Sequence, residues 1–489
     1  MINKKIIMEL TQLKPKNVWK YFSEISKVPR VTYNLKGINE YLLKTFKSLG
    51  YEPILDKGGN VYVSKPATQG FEKHPGVMLQ AHSDMVGVKR PGSKHDFKKD
   101  PIKPVVCIDG WIRTKDTTLG ADDGIGVAMI LAIFADKEIK HGPLEALITS
   151  NEEDGLLGVQ AFDVNKIKAK YLINLDSEDD KEICIGCPGN CDIETEISFT
   201  RDKKRPKSKN LCIHFFGGKG GHSGQTIAEK KVNAIKEVIN TIGLISDNCD
   251  IRLVEFINSG TAKNNIPGEA SAIINILEKD KHLVENLVKE EFNSIKASFD
   301  EELNINMVIE QAKSDLRPIS KSDTNKIIAF LMMMPNGINT FNWQYNVPET
   351  SSNLGLIKTT DKSIWSKVMI RSPYEQVMRV YALRISSMAK LLKIKSQIVQ
   401  FVPGWLPKKN MLADIYQKFY KKIFKNNARQ ALISGGVEPA FILSKRTEMF
   451  GISVGPLMRN VHSFEEELNV ESTMKLYSLI VKFLPTLKQ

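Results

Sequence analysis

Val77-Met78-Leu79-Gln80-Ala81-His82-Ser83-Asp84 decides the fold. Four of its first five residues are apolar, and a histidine, a serine and an acid follow directly. A run this short, closed by polar residues, reads as a strand buried on both faces of a parallel sheet. Residues 59–64, 144–150 and 171–175 repeat the pattern. Between these runs, residues 124–134 are apolar on nearly every face, as suits a helix packed against a sheet. Residues 18–25 and 38–49 read as amphipathic helices. Alternation of this kind predicts an α/β fold with a mostly parallel sheet.

Working outward, the pattern breaks near Pro188-Gly189-Asn190, where a polar, basic segment (201–210) follows and the alternation restarts. A second α/β unit is read from there to about residue 404. One of its helices carries Ile235, Val238, Ile239 and Ile242 on one face, and another carries Val377, Tyr381, Ile385, Met388 and Leu392. After Pro403-Gly404-Trp405 a helix (411–424) and short strands (431–433 and 450–454) return to the earlier character. An insertion explains this: residues 1–188 and 405–489 form one domain, and 189–404 form an inserted α/β lid.

Bulk properties agree with a folded two-domain chain. The 489 residues are more than one hydrophobic core usually serves, and 42% hydrophobic with 26% charged is an ordinary globular balance. Six cysteines in such a length fit a reducing compartment. The apolar patch Ile6-Ile7-Met8 is far shorter than a signal-peptide core, and no run reaches the roughly 18 apolar residues of a membrane helix. A cytoplasmic protein with no membrane partner is therefore expected. The net charge of +13 raises nucleic acid as a partner, but the lysines are scattered. The densest cluster (Lys203, Lys204, Arg205, Lys207, Lys209) has no interleaved aromatics, so a solvated basic surface and no nucleic-acid partner are expected.

The chemistry is concentrated after the strands. His82 and Asp84, Asp122-Asp123-Gly124, Glu152-Glu153-Asp154, Asp176 and His462 stand at strand ends or helix starts, where open α/β sheets bind ligands. Each alone has an ordinary explanation, such as a hydrogen-bonded turn histidine, a helix cap or an exposed acidic turn. Together they describe carboxylates that must either take up protons or hold cations. Two imidazoles among hard carboxylates favour zinc, with cobalt or manganese as substitutes. A shared carboxylate would make a two-ion site that activates water.

Several motifs resemble the co-catalytic zinc peptidases, the family of carnosinases, peptidase T and succinyl-diaminopimelate desuccinylase. These are His82-Ser83-Asp84-Met85-Val86, Leu119-Gly120-Ala121-Asp122-Asp123-Gly124-Ile125-Gly126, Ser150-Asn151-Glu152-Glu153-Asp154-Gly155 and Leu175-Asp176-Ser177-Glu178. The resemblance is strongest to the aminoacyl-histidine (cytosolic non-specific) dipeptidase branch and runs nearly end to end. It takes in Val28-Pro29-Arg30, Gly220-Gly221-His222-Ser223-Gly224, Asn264-Asn265-Ile266-Pro267, Met334-Pro335-Asn336-Gly337, residues 349–355, Pro403-Gly404-Trp405 and the stretch from Gly455-Pro456 to His462-Ser463.

The resemblance implies a metal-dependent dipeptidase acting on dipeptides with a free amino terminus, Xaa-His or broader. Asp122 would bridge two divalent ions, His82 and Asp176 would complete one, and Glu153 and His462 the other. Glu152 would be the general base, and Asp84 would fix the tautomer of His82. In the lid, His222 would reach the oxyanion or substrate carboxylate, with Asn264 and Arg371 as further substrate contacts. A homodimer through the lid is the partner implied.

The chain also departs from that branch. A His-x-Gly-Leu-Glu-Cys stretch is usual there, and here it reads Ser434-Gly435-Gly436-Val437-Glu438-Pro439. Glu438 is kept and would hold the substrate's amino group, while Ser434 replaces the histidine. Cys184, Cys187 and Cys191 have knuckle-like spacing but no second ligand pair in register, so free thiols are expected. The competing functions are an N-acyl amino acid deacylase of the same family and a non-catalytic binding relative.

Overall fold

A computed structural model describes residues 9–257, 259–433 and 435–488. The readings made for the first eight residues and for Ser434 lie outside the described residues. The chain divides into two compact units: Met1–Gly186 with Trp405–Leu432 and Val437–Gln489, and Cys187–Gly404 with Ile433–Gly436.

The first unit is built on an eight-stranded sheet. Its order is Ile54–Leu55, Val61–Lys65, Leu144–Thr149, Val77–His82, Tyr171–Asn174, Phe450–Ser453, Glu182–Gly186, Arg429–Leu432. The centre is parallel: Val77–His82 lies between Leu144–Thr149 and Tyr171–Asn174, and Phe450–Ser453 continues the direction. Antiparallel pairing begins at Val61–Lys65 on one side and at Glu182–Gly186 on the other. Every residue of the three central strands is buried, which is why they read as unbroken apolar runs rather than alternations.

The helix Ala121–Ala135 packs against this sheet with all residues from Asp123 to Phe134 buried. A glycine precedes it: Gly120 has φ +67°, a left-handed conformation that L side chains rarely adopt. The parallel register brings the C-terminal ends of Val77–His82, Leu144–Thr149 and Tyr171–Asn174 to one edge, so His82 and the loops after Thr149 and Asn174 open on the same side.

The second unit contains a four-stranded antiparallel sheet (Arg252–Ile257, Ala270–Leu277, Ser208–Phe216, Asn306–Gln311). It also has a five-stranded one (Gly337–Asn342, Val347–Thr359, Ser363–Ser372, Gly189–Ser198, Lys395–Val402). Its core gathers Ile235, Val238, Ile239 and Ile242 from the helix Ala234–Asn248 with strand residues such as Ile213, Ile274 and Val368. The helix Glu375–Leu391 is turned slightly from its expected face. Met378, Ala382, Ile385 and Ala389 are buried, whereas Tyr381, Met388 and Leu392 only flank the core and Val377 is half-buried. No helix among the described residues is long and apolar enough to cross a membrane.

Candidate metal centre

His82 ends its strand with its imidazole 2% exposed. Its Nδ1 lies 3.1 Å from the Asp84 carbonyl oxygen and 3.7 Å from Asp84 Oδ1. Donation from Nδ1 leaves Nε2 to face the pocket. That atom stands 3.0 Å from Asp122 Oδ1 and 3.4 Å from Asp176 Oδ1. On the far side, Asp122 Oδ2 is 3.0 Å from His462 Nε2, and His462 Nε2 is 3.0 Å from Glu153 Oε2. One carboxylate therefore joins two histidine–carboxylate pairs. Donor atoms of His82, Asp122 and Glu153 all lie within 4.8 Å of one another.

The neighbours of these groups are organised to hold them. Asp84, fully buried, accepts from Thr32 Oγ1 at 2.9 Å and from the Glu152 N–H at 3.1 Å, so it ties the His82 loop to the Glu152–Glu153 loop. Asp123 accepts from the backbone N–H of His82 at 3.3 Å and of Gly126 at 3.2 Å. His462 adopts φ +60° in the loop that precedes Glu466.

Burial and crowding shift the acid–base behaviour of the cluster. Burial pushes Asp123 and Glu152 well above the usual carboxylate range, with the charge of Asp176 adding to both. Burial likewise takes Asp176 and Glu178 up to about 7 and Glu438 up to about 8. Asp122 goes the other way: burial raises it, but the His462 and His82 imidazoles outweigh that and hold it low. His462 is pushed down by burial, yet Asp122 and Glu153 carry it up to about 11. His82 is raised too, because Asp176, Asp122 and Asp84 outweigh its burial. Glu153 Oε1 is buried without a hydrogen-bond partner. The donor set of imidazole nitrogens and carboxylate oxygens suits divalent ions.

Glu438 immediately precedes the helix Pro439–Lys445 and is fully buried. Its Oε2 accepts from Gln80 Nε2 and Thr149 Oγ1, and its Oε1 is buried without a partner. A cavity of about 590 Å³ opens beside Glu153, lined by Thr32, Tyr33, Met85, Phe97, Lys98 and Asp154 among others.

In the second unit the residues singled out from the sequence also come together. His222 pairs in register with Asn265, and the Ser223 N–H donates to the Asn264 carbonyl at 2.8 Å. His222 Nδ1 accepts from the N–H groups of Gly224 (3.3 Å) and Gln225 (3.1 Å), so its proton sits on Nε2. Arg371 Nη2 approaches that Nε2 to 3.5 Å. Arg371 is 8% exposed, and its Nε has no partner.

Glu178, Glu466 and Arg30 were not singled out as site residues from the sequence. Glu178 lies two residues beyond Asp176, and Glu466 four beyond His462, inside or beside motifs already quoted. Among the described residues no cysteine forms a disulfide, and Cys184, Cys187 and Cys191 are buried.

Strand-end histidines and carboxylates, paired through one shared aspartate on a mostly parallel sheet, define a metallopeptidase of the co-catalytic class. Residues 210–304 match the peptidase dimerisation domain. A cytosol non-specific dipeptidase from Escherichia coli strain K12 is 33% identical over 480 residues, covering 97% of this chain and 98% of that protein. The crystal structure of an aminoacylhistidine dipeptidase from Vibrio alginolyticus matches with a TM-score of 0.89 and 31% identity over 98% of each chain. An aminopeptidase structure from Bacillus cereus shares the fold, with a TM-score of 0.59 and 19% identity over 98% of this chain and 100% of that one. The chain belongs to the cytosol non-specific dipeptidase family and is a peptidase. The family resemblance and the α/β fold class read from the motifs are both borne out.

Proposed function

We propose that this chain is a cytoplasmic, metal-dependent dipeptidase that cleaves dipeptides with a free amino terminus, Xaa-His or broader. The observation that carries the proposal is the placement of Asp122 between His82 and His462, each 3.0 Å from a different carboxylate oxygen. His82, Asp122 and Asp176 would hold one divalent ion, and Asp122, Glu153 and His462 the second. Zinc suits this mixed nitrogen and oxygen donor set, and cobalt or manganese would substitute. When bound, such ions polarise the scissile carbonyl and supply hydroxide near neutral pH.

The side chains do the rest. Glu152, held at its backbone by Asp84, takes the proton of the attacking water on its carboxylate and returns it to the leaving amine nitrogen. Asp84 orients the His82 ring. His222 Nε2–H donates to the developing oxyanion, and Arg371 and Asn264 take the substrate's terminal carboxylate. Glu438 takes the substrate's ammonium group through its unpartnered Oε1. The catalytic parts are assigned to residues 1–188 and 405–489 and the lid to 189–404, with a homodimer formed through the lid, consistent with the dimerisation-domain match over 210–304.

The test is Ala-Leu hydrolysis by purified protein before and after chelation, with zinc, cobalt or manganese restored and bound metal counted. Activity that vanishes with the metal and returns at about two ions per chain supports the proposal. Activity untouched by complete metal removal overturns it.

A further inference from the structure

Two buried residues outside the ligand set hold the bridging loop from opposite sides. Glu466 is 3% exposed and accepts four successive backbone N–H groups. Its Oε2 accepts from Leu119 at 2.8 Å and Gly120 at 3.0 Å, and its Oε1 from Ala121 at 2.8 Å and Asp122 at 3.3 Å. These donors belong to the loop around Asp122, which is non-helical at Asp122 and Asp123 before the helix becomes regular. A remote carboxylate satisfies them, as buried backbone N–H groups require.

Arg30 works on the carbonyl side. It is 2% exposed; its Nη1 donates to the carbonyls of Ser83 and Asp84, both at 3.0 Å, and its Nη2 to that of Gly120. Space for the guanidinium depends on glycine, because a Cβ at Gly120 would lie 2.7 Å from Arg30 Nη2, and a Cβ at Gly124 would also collide with it. Arg30 thus joins the segment after His82 to the loop before Asp122. Glu466, four residues beyond His462, joins the His462 segment to the same loop.

We propose that Arg30 and Glu466 are positioning residues that set the geometry of the Asp122 bridge before any ion binds. The proposal rests on the assignment of Asp122, His82 and His462 as ligands. Carboxylates crowded together would drift apart without cations, and a bridge that is not fixed must be ordered at the expense of ion affinity. The chemistry at position 466 is specific: a glutamine offers one acceptor oxygen, and its NH2 group would face two of the four N–H donors.

The test is calorimetric titration of zinc into metal-free wild-type protein, Glu466→Gln, Arg30→Lys and Glu302→Gln. Circular dichroism confirms that each is folded, and the visible spectrum of the cobalt form reports coordination. Glu302 is a matched control, a 3% exposed carboxylate that accepts the backbone N–H groups of Lys219 and Val232. We expect zinc affinity to fall about 10- to 100-fold in Glu466→Gln, with an altered cobalt spectrum. A smaller fall is expected in Arg30→Lys and none in Glu302→Gln. Two-ion binding by wild type with Glu466→Gln and Arg30→Lys both within twofold of it would overturn the clamp alone. An equal loss in Glu302→Gln would overturn it as well. If wild type binds no ions, the ligand assignment falls and the clamp with it. Should Glu466→Gln not fold, the Arg30→Lys titration decides on the same criteria.

Discussion

Asp122 and His462 are 340 positions apart in the chain, yet Oδ2 of the first lies 3.0 Å from Nε2 of the second. The other oxygen of Asp122 makes the same approach to His82, so this aspartate is the point on which both halves of the site depend. The functional expectations follow from that arrangement.

Glu152 is the proton carrier in this account. Replacing it with glutamine keeps its size and removes its basicity, so kcat should fall by roughly 10²- to 10⁴-fold. KM should change little, and bound metal should stay at the wild-type count. A Glu152→Gln protein with near-normal kcat would remove Glu152 from its role.

Ion binding should be coupled to proton release. Without ions, Asp122 and Glu153 push His462 up to about 11 and burial pushes Asp176 up to about 7, so the His462 imidazole carries its extra proton at pH 7. Ligation requires neutral imidazole and ionised carboxylate, so zinc binding should expel at least about one proton per chain and tighten as pH rises. The sign also sets apo stability. A raised histidine pKa stabilises the folded apo-protein fully below the unfolded value of about 6.5, and that contribution is lost as pH rises toward 11. Calorimetry in buffers of different ionisation enthalpy measures the protons released. A binding heat independent of buffer would contradict this.

Arg371, 8% exposed with an unpartnered Nε, is assigned to the substrate's terminal carboxylate. Arg371→Ala should raise KM for a free-carboxylate dipeptide by about 10- to 100-fold, the scale of a lost charge-assisted pair. A C-terminally amidated dipeptide should be a poor substrate for wild type and should lose little more in the variant. Equal losses on the two substrates would show that Arg371 does not read the carboxylate.

The central strands were legible in the sequence because both their faces are buried, which leaves unbroken apolar runs, and His82 stands at the end of one. The ligand types were legible because acids and histidines directly after such strands have few other reasons to be there. The buried face of the helix Glu375–Leu391 was less so. Ala382 and Ala389 fill its core positions but carry little weight in an apolar pattern, whereas Tyr381 and Met388 looked like core and only flank it. Arg30 and Glu466 could not be assigned roles from periodicity, because their partners are backbone groups far away in sequence.

Ala-His and N-acetyl-Ala-His, compared as substrates of the metal-loaded enzyme with β-Ala-His and Ala-Leu alongside and a chelated control, separate a dipeptidase from a deacylase. Metal-dependent cleavage of the free-amine dipeptides is expected, with little or none of the acetylated one. Cleavage of the acetylated peptide alone would make the chain a deacylase and contradict the dipeptidase assignment.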